Sequence, residues 1–78
     1  MGGLTRPVQD MPEFVSAALD LRGLREAYDA RPPYQRNDYL GWINRAKRED
    51  TKKGRLAVML RELEAGTSYM GMEWRPKA

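Results

Sequence analysis

Apolar positions recur along this chain at helical spacing and divide it into segments. Tyr39, Trp42, Ile43 and Ala46 fall at i, i+3, i+4 and i+7, one face of an amphipathic helix. Downstream, Leu56, Met59, Leu60 and Leu63 mark a second such face. Upstream, Phe14, Ala18 and Leu21 form a stripe with Val15 and Leu19 alongside, and Leu21, Leu24 and Tyr28 carry it onto a further short piece. No strand-like alternation is sustained, and no internal repeat stands out.

Local punctuation sets the boundaries. Pro12 suits a first helical position, and Glu13 follows where a carboxylate meets the positive end of the helix dipole. Gly23 weakens helical continuity, so a break is expected between Asp20 and Gly23, with Asp20 a candidate cap for the second piece. One bent helix is the alternative. Arg31 and Pro32 should be extended before proline, and Pro33 can open the next helix. Gly41 inside that helix costs about 1 kcal/mol relative to alanine, which predicts close approach of another helix there. Asp50 or Thr51 is the expected cap of the last helix, and Gly66 suits its end.

These signals predict helices over 11–30 (a pair), 33–47 and 50–65. The fold class is all-α: a small, partly orthogonal bundle of three to four short helices with no sheet. The expected core is Phe14, Ala18, Leu21, Leu24, Tyr28, Tyr39, Ile43, Leu56, Leu60 and Leu63, with Trp42 sealing one edge. Residues 1–10 read as a flexible arm, 11–66 as the helical domain and 67–78 as an irregular tail. Tyr69, Met70, Met72 and Trp74 make that tail too apolar for a solvated end, so it folds back on the helices or covers a partner.

Composition narrows the chemistry. A chain of 78 residues holds one domain. It has no cysteine and no histidine, which removes disulfides, thiolate metal sites, the commonest zinc ligand and the usual general base. No cofactor is expected. The absent cysteines fit a reducing cytoplasm. No run approaches the roughly 20 apolar residues that span a bilayer. The N-terminus lacks the apolar region of a secretory signal, and Arg6 stands where a myristoylated Gly2 would want Ser or Thr. A cytoplasmic protein is expected.

Charge is unevenly distributed. Five acids and two bases between Asp10 and Ala30 give a net −3, whereas six bases and two acids between Arg45 and Arg55 give +4. Either the two segments neutralise each other or the basic one faces solvent. Lys52, Lys53 and Arg55 fall in the first turns of the last helix, where the dipole disfavours cations. Glu49 and Asp50 can offset them. Alternatively, the free backbone N–H groups and these side chains jointly hold an anion. The candidate binding residues are therefore Arg45, Lys47, Arg48, Thr51, Lys52, Lys53 and Arg55.

Catalysis finds little support. The hydroxyl nucleophiles Ser16, Ser68, Thr5, Thr51 and Thr67 have no histidine to activate them. Glu62 and Glu64 stand two apart on a helix and face different ways. A helix-turn-helix reading of the junction meets the absence of Asn and Gln from the last helix. Non-specific nucleic-acid binding remains open to the basic residues, sequence reading does not.

Several residues together carry a family resemblance. Ala27-Tyr28 precedes Pro32-Pro33; Arg36, Tyr39-Leu40, Trp42-Ile43, Ala46-Lys47, Thr51-Lys52 and Arg55-Leu56 follow; Leu63-x-x-Gly66 closes the run. This pattern resembles the bacteriocin-protection family, also called YdeI or OmpD-associated (OmdA-like), over about 11–66. Lys52 stands where arginine is usual, and Gly54 where a basic residue is common. The resemblance implies a bacterial, mostly helical module connected with protection against bacteriocins or envelope stress. In longer members the module is one part of a larger protein; here it is expected to stand alone with short extensions. The resulting expectation is a non-enzymatic binding module that engages an acidic partner protein through its basic corner. Binding of an anion or of nucleic acid by the same residues is the alternative.

Overall fold

A computed structural model describes residues 8–75, with the remainder of the expected arm and tail outside the described residues. It contains four helices, α1 (Glu13–Leu21), α2 (Arg25–Asp29), α3 (Pro33–Arg45) and α4 (Glu49–Ala65), followed by the short strands β1 (Ser68–Tyr69) and β2 (Met72–Glu73). The chain is mostly helical. The expectation of no sheet is corrected by this antiparallel hairpin, which pairs Ser68 with Glu73 and Tyr69 with Met72. Six residues with two short pairings leave too brief an alternation to register as strand. The hairpin turns on Met70 (φ 52) and Gly71 (φ 79). Two successive positive φ angles are the requirement of a type I′ turn, which matches the twist of the flanking strands.

The break between α1 and α2 follows from Gly23. Its φ of 68 lets Leu24 N–H reach Leu19 O (2.8 Å) and Gly23 N–H reach Asp20 O (3.2 Å). This is a Schellman ending, whose associated apolar contact joins Leu19 and Leu24, both buried. Asp20 does not cap α2; Leu24 stands at that position, and the Asp20 carboxylate instead accepts from Arg25 Nε at 2.9 Å. Because Leu19 is fixed inward, α1 turns Val15 and Leu19 to the core. Phe14 (39% exposed) and Leu21 (87% exposed) then face out, which corrects their assignment to the core. Consecutive helical residues differ by about 100° in direction, so the correction amounts to one residue of rotation.

Pro33 opens α3 at its first position, with Pro32 extended before it. Gly41 in this helix is buried, but its neighbour is not another helix. A Cβ there would meet Arg45 Nη1 at 3.2 Å and Gln9 Cγ at 3.3 Å. The lead-in segment lies along α3, where Gln9 N–H donates to Asn37 Oδ1 (2.7 Å) and Asn44 Nδ2 to Asp10 O (3.1 Å). Helix α4 begins one residue earlier than expected, with Arg48 rather than Asp50 or Thr51 at its cap, and ends on Gly66 in the left-handed region (φ 78). Glu49 and Asp50 thereby occupy its first turn, where carboxylates complement the dipole.

The core joins Val15, Leu19, Leu24, Tyr28, Tyr39, Leu40, Ile43, Met59, Leu60, Leu63 and Tyr69. Ala18, Trp42 and Leu56 pack against it half-buried. Tyr69 of β1 stands edge-on to Tyr39 (5.4 Å) and Tyr34 (5.9 Å), so the tail folds back on the helices through an aromatic cluster. Basic residues stand at both ends of α3, Arg31 just before it and Arg45, Lys47 and Arg48 at and after its end.

Candidate functional site

The C-terminal end of α3 and the start of α4 carry the seven residues singled out from the sequence. Lys47, Arg48, Thr51 and Lys53 are exposed, and Lys52 is half-buried. Arg48 pairs with Asp50 at 3.4 Å, with both side chains in solvent. Arg45 is exposed, and its guanidinium lies back along α3 beside Gly41. Arg55 differs from the rest. Its Nη1 donates to Trp42 O (2.6 Å), and its guanidinium lies 5.2 Å from the Trp42 ring centre. It caps the end of one helix from another, so this cation is engaged by the fold rather than left to solvent. On α4, Lys52 and Arg55 share a face by i, i+3 spacing, whereas Lys53 points about 100° away.

The N-terminal end of α3 holds charges of another kind. Arg31, 4% exposed, donates from Nη1 to Gln35 Oε1 (3.1 Å) and Ser68 O (2.8 Å), and from Nη2 to Glu62 O (2.9 Å). It thus ties α4 and β1 to the α2–α3 link, and it is a second donor to Glu62 O, which also accepts from Gly66 N–H (2.9 Å). Its guanidinium lies 4.4 Å from the centre of the Trp74 ring. The Glu62 carboxylate, on a residue 7% exposed, accepts from Tyr39 Oη (2.5 Å), Met70 N (2.8 Å) and Gly71 N (2.8 Å). The two amides belong to the hairpin turn, so this side chain fastens β1 and β2 to α4.

Burial alone would raise the Glu62 pKa. The Tyr39 hydroxyl, the Gly71 and Met70 amides and the Arg31 charge outweigh it, and the carboxyl is held below the ordinary glutamate range. Burial first, then the bond to Glu62, pushes the Tyr39 hydroxyl well above an ordinary phenol. No buried side-chain nitrogen or oxygen among the described residues lacks a partner. The arrangement is a closed structural clamp.

Beside the clamp opens a recess of about 720 Å³. Pro32, Pro33, Tyr34 and Trp74 give it flat apolar walls, and Arg31, Arg36 and Arg75 border it together with one acid, Asp29. Arg36 donates from Nε to Arg31 O (3.1 Å), while Arg75 pairs with Glu73 (3.0 Å) in solvent. A smaller recess of about 200 Å³, lined by Ala27, Leu63 and Gly66, adjoins the same Trp74 and Arg31.

Sequence reasoning missed this end of the molecule. Arg31-Pro32-Pro33 reads as a link, and Trp74 sits in a segment with no periodic pattern. One signal was available: Glu62 follows Met59 by three and precedes Leu63, which puts a carboxylate at the edge of an apolar stripe. Among the described residues no group of three or more Asp, Glu, His or Cys could hold a metal ion. Among them, too, no helix is long and apolar enough to cross a membrane.

Comparison with known proteins gives one match. The family model OmdA, described as "Bacteriocin-protection, YdeI or OmpD-Associated", matches residues 9–66, more than half of the chain. No curated protein and no solved structure matches significantly.

Proposed function

The chain belongs to the OmdA family (bacteriocin-protection, YdeI or OmpD-associated), and from that premise we propose that it is a cytoplasmic, non-enzymatic module that binds an acidic partner protein through the basic corner. One observation supports this reading above others. Among the described residues, no ion pair joins the acidic segment of α1 and α2 to the corner. Asp20 of that segment engages locally, with Arg25. Lys47, Arg48 and Lys53 therefore keep their charge in solvent, offset only by the first-turn acids of α4. Exposed lysines on flexible stems suit a partner whose carboxylates are spread over a surface.

The test is capture from bacterial lysate, with and without nuclease, by the wild-type chain and by a Lys47→Glu, Lys53→Glu variant. The expected result is a nuclease-resistant protein that elutes with salt and is lost with the variant. Recovery that disappears on nuclease treatment would favour nucleic acid at the same residues. Equal capture by the variant would remove the corner from the account.

A further inference from the structure

The recess beside the clamp combines its cations with an open, ring-lined concavity. Its cations are all guanidinium groups, which match the oxygens of a phosphate in fork geometry where an ammonium offers only a point charge. Arg31 and Arg36 are also restrained. The Nε bond of Arg36 to Arg31 O fixes the side chain and leaves both Nη groups for a ligand. The Arg75 pair with Glu73 lies in solvent, so an incoming phosphate can compete for it. Arg31 holds the Trp74 ring from one side, which orients it without ligand.

The walls add a second element. Tyr34 is half-exposed at the first turn of α3, edge-on to Tyr69, and it stands with Trp74 and the two prolines around the same opening. Flat rings next to arginines suit a ligand that is itself flat at one end and anionic at the other. An acidic peptide would use the charges and leave the rings idle.

We propose that this recess binds a nucleoside phosphate, either free or as one unit of a single strand, with the base against Tyr34 and Trp74 and the phosphate on Arg36 and Arg75. Binding here is separate from the basic corner, since α3 spans 13 residues between them, about 20 Å of helix.

Nuclear magnetic resonance titration of the whole chain at low salt tests the assignment. Thymidine monophosphate should shift the Trp74 indole and the Tyr34 and Arg36 amides saturably. It should bind about tenfold tighter than inorganic phosphate or thymidine alone, the worth of one stacked ring or one charged contact. Arg36→Gln should weaken it about tenfold by removing a charge-assisted contact. If that variant loses its fold, Arg75→Gln serves in its place, because Arg75 is exposed and its pair with Glu73 lies in solvent. A thymidine oligonucleotide that binds more tightly than the monophosphate identifies a strand as the source, and equal binding identifies the free nucleotide. Absence of a saturable shift, shifts confined to residues 45–55, or equal affinity for a phosphoserine peptide would overturn the proposal.

Discussion

The two ends of α3 gather cations in opposite ways. At the C-terminal end, Lys47, Arg48 and Lys53 are exposed and held by little more than one solvent-facing pair. At the N-terminal end, Arg31 is almost wholly buried and spends three hydrogen bonds on Gln35, Ser68 and Glu62. Its partners are an amide and two backbone carbonyls, and Glu62 nearby is satisfied by a hydroxyl and two backbone amides. Buried charge here is met by oriented dipoles rather than by a direct ion pair. The difference separates two uses of a cation, one available to a partner and one consumed by the fold. Charge density along a sequence does not distinguish them.

Removing the Glu62 carboxylate should have the largest effect. In Glu62→Ala, the Met70 and Gly71 amides and the Tyr39 hydroxyl lose their acceptor, and Arg31 loses a nearby opposite charge. A loss of about 3–5 kcal/mol is expected by analogy with breaking a buried charge contact, with Glu62→Gln costing less because an acceptor oxygen remains. Urea denaturation measures the change, and the hairpin resonances should collapse with it. A loss below about 1 kcal/mol, the range of surface pairs, would erase the contrast between the two ends.

Acid should act on the buried end through Glu62, and more gently. The Glu62 carboxyl has a folded pKa below its ordinary value of 4.5, so the folded state favours the charged form. Its contribution is complete above that ordinary value and is lost as pH falls through the lower, folded one. Protonation leaves the side chain in place, so the loss should fall short of that in Glu62→Ala. Stability measured downward from neutral pH should begin to fall near pH 4.5, and the fall should be shallower in Glu62→Gln. Identical acid profiles for the two proteins would assign the effect to other carboxyls.

Much of the helical frame was legible, because proline and glycine mark it strongly. Pro33 opens α3 and Gly66 ends α4 as their conformational preferences require. The face of α1 was not legible: Phe14 and Val15, or Leu19 and Leu21, offer two apolar stripes, and only the Leu19–Leu24 contact across the Gly23 turn selects one. Gly41 signalled a close approach, but periodicity could not show that Gln9 supplies it. At the candidate sites, the corner was legible because its bases adjoin in sequence. The clamp was not, because Arg31 and Glu62 meet only after three helices have packed, and the turn that Glu62 holds lies beyond the last helix.

The smallest effects should come from the corner, and they divide it. Arg55 alone among its cations caps a carbonyl and covers a ring, through Trp42. Arg55→Ala should therefore cost about 1–2 kcal/mol, a charge-assisted hydrogen bond and a half-exposed ring contact together. Lys47→Ala and Lys53→Ala touch nothing of that kind and should each stay within about 0.5 kcal/mol in the same urea assay. If instead Lys47→Ala or Lys53→Ala destabilises as much as Arg55→Ala, those side chains belong to the fold, and the corner has no charge to spare for a partner.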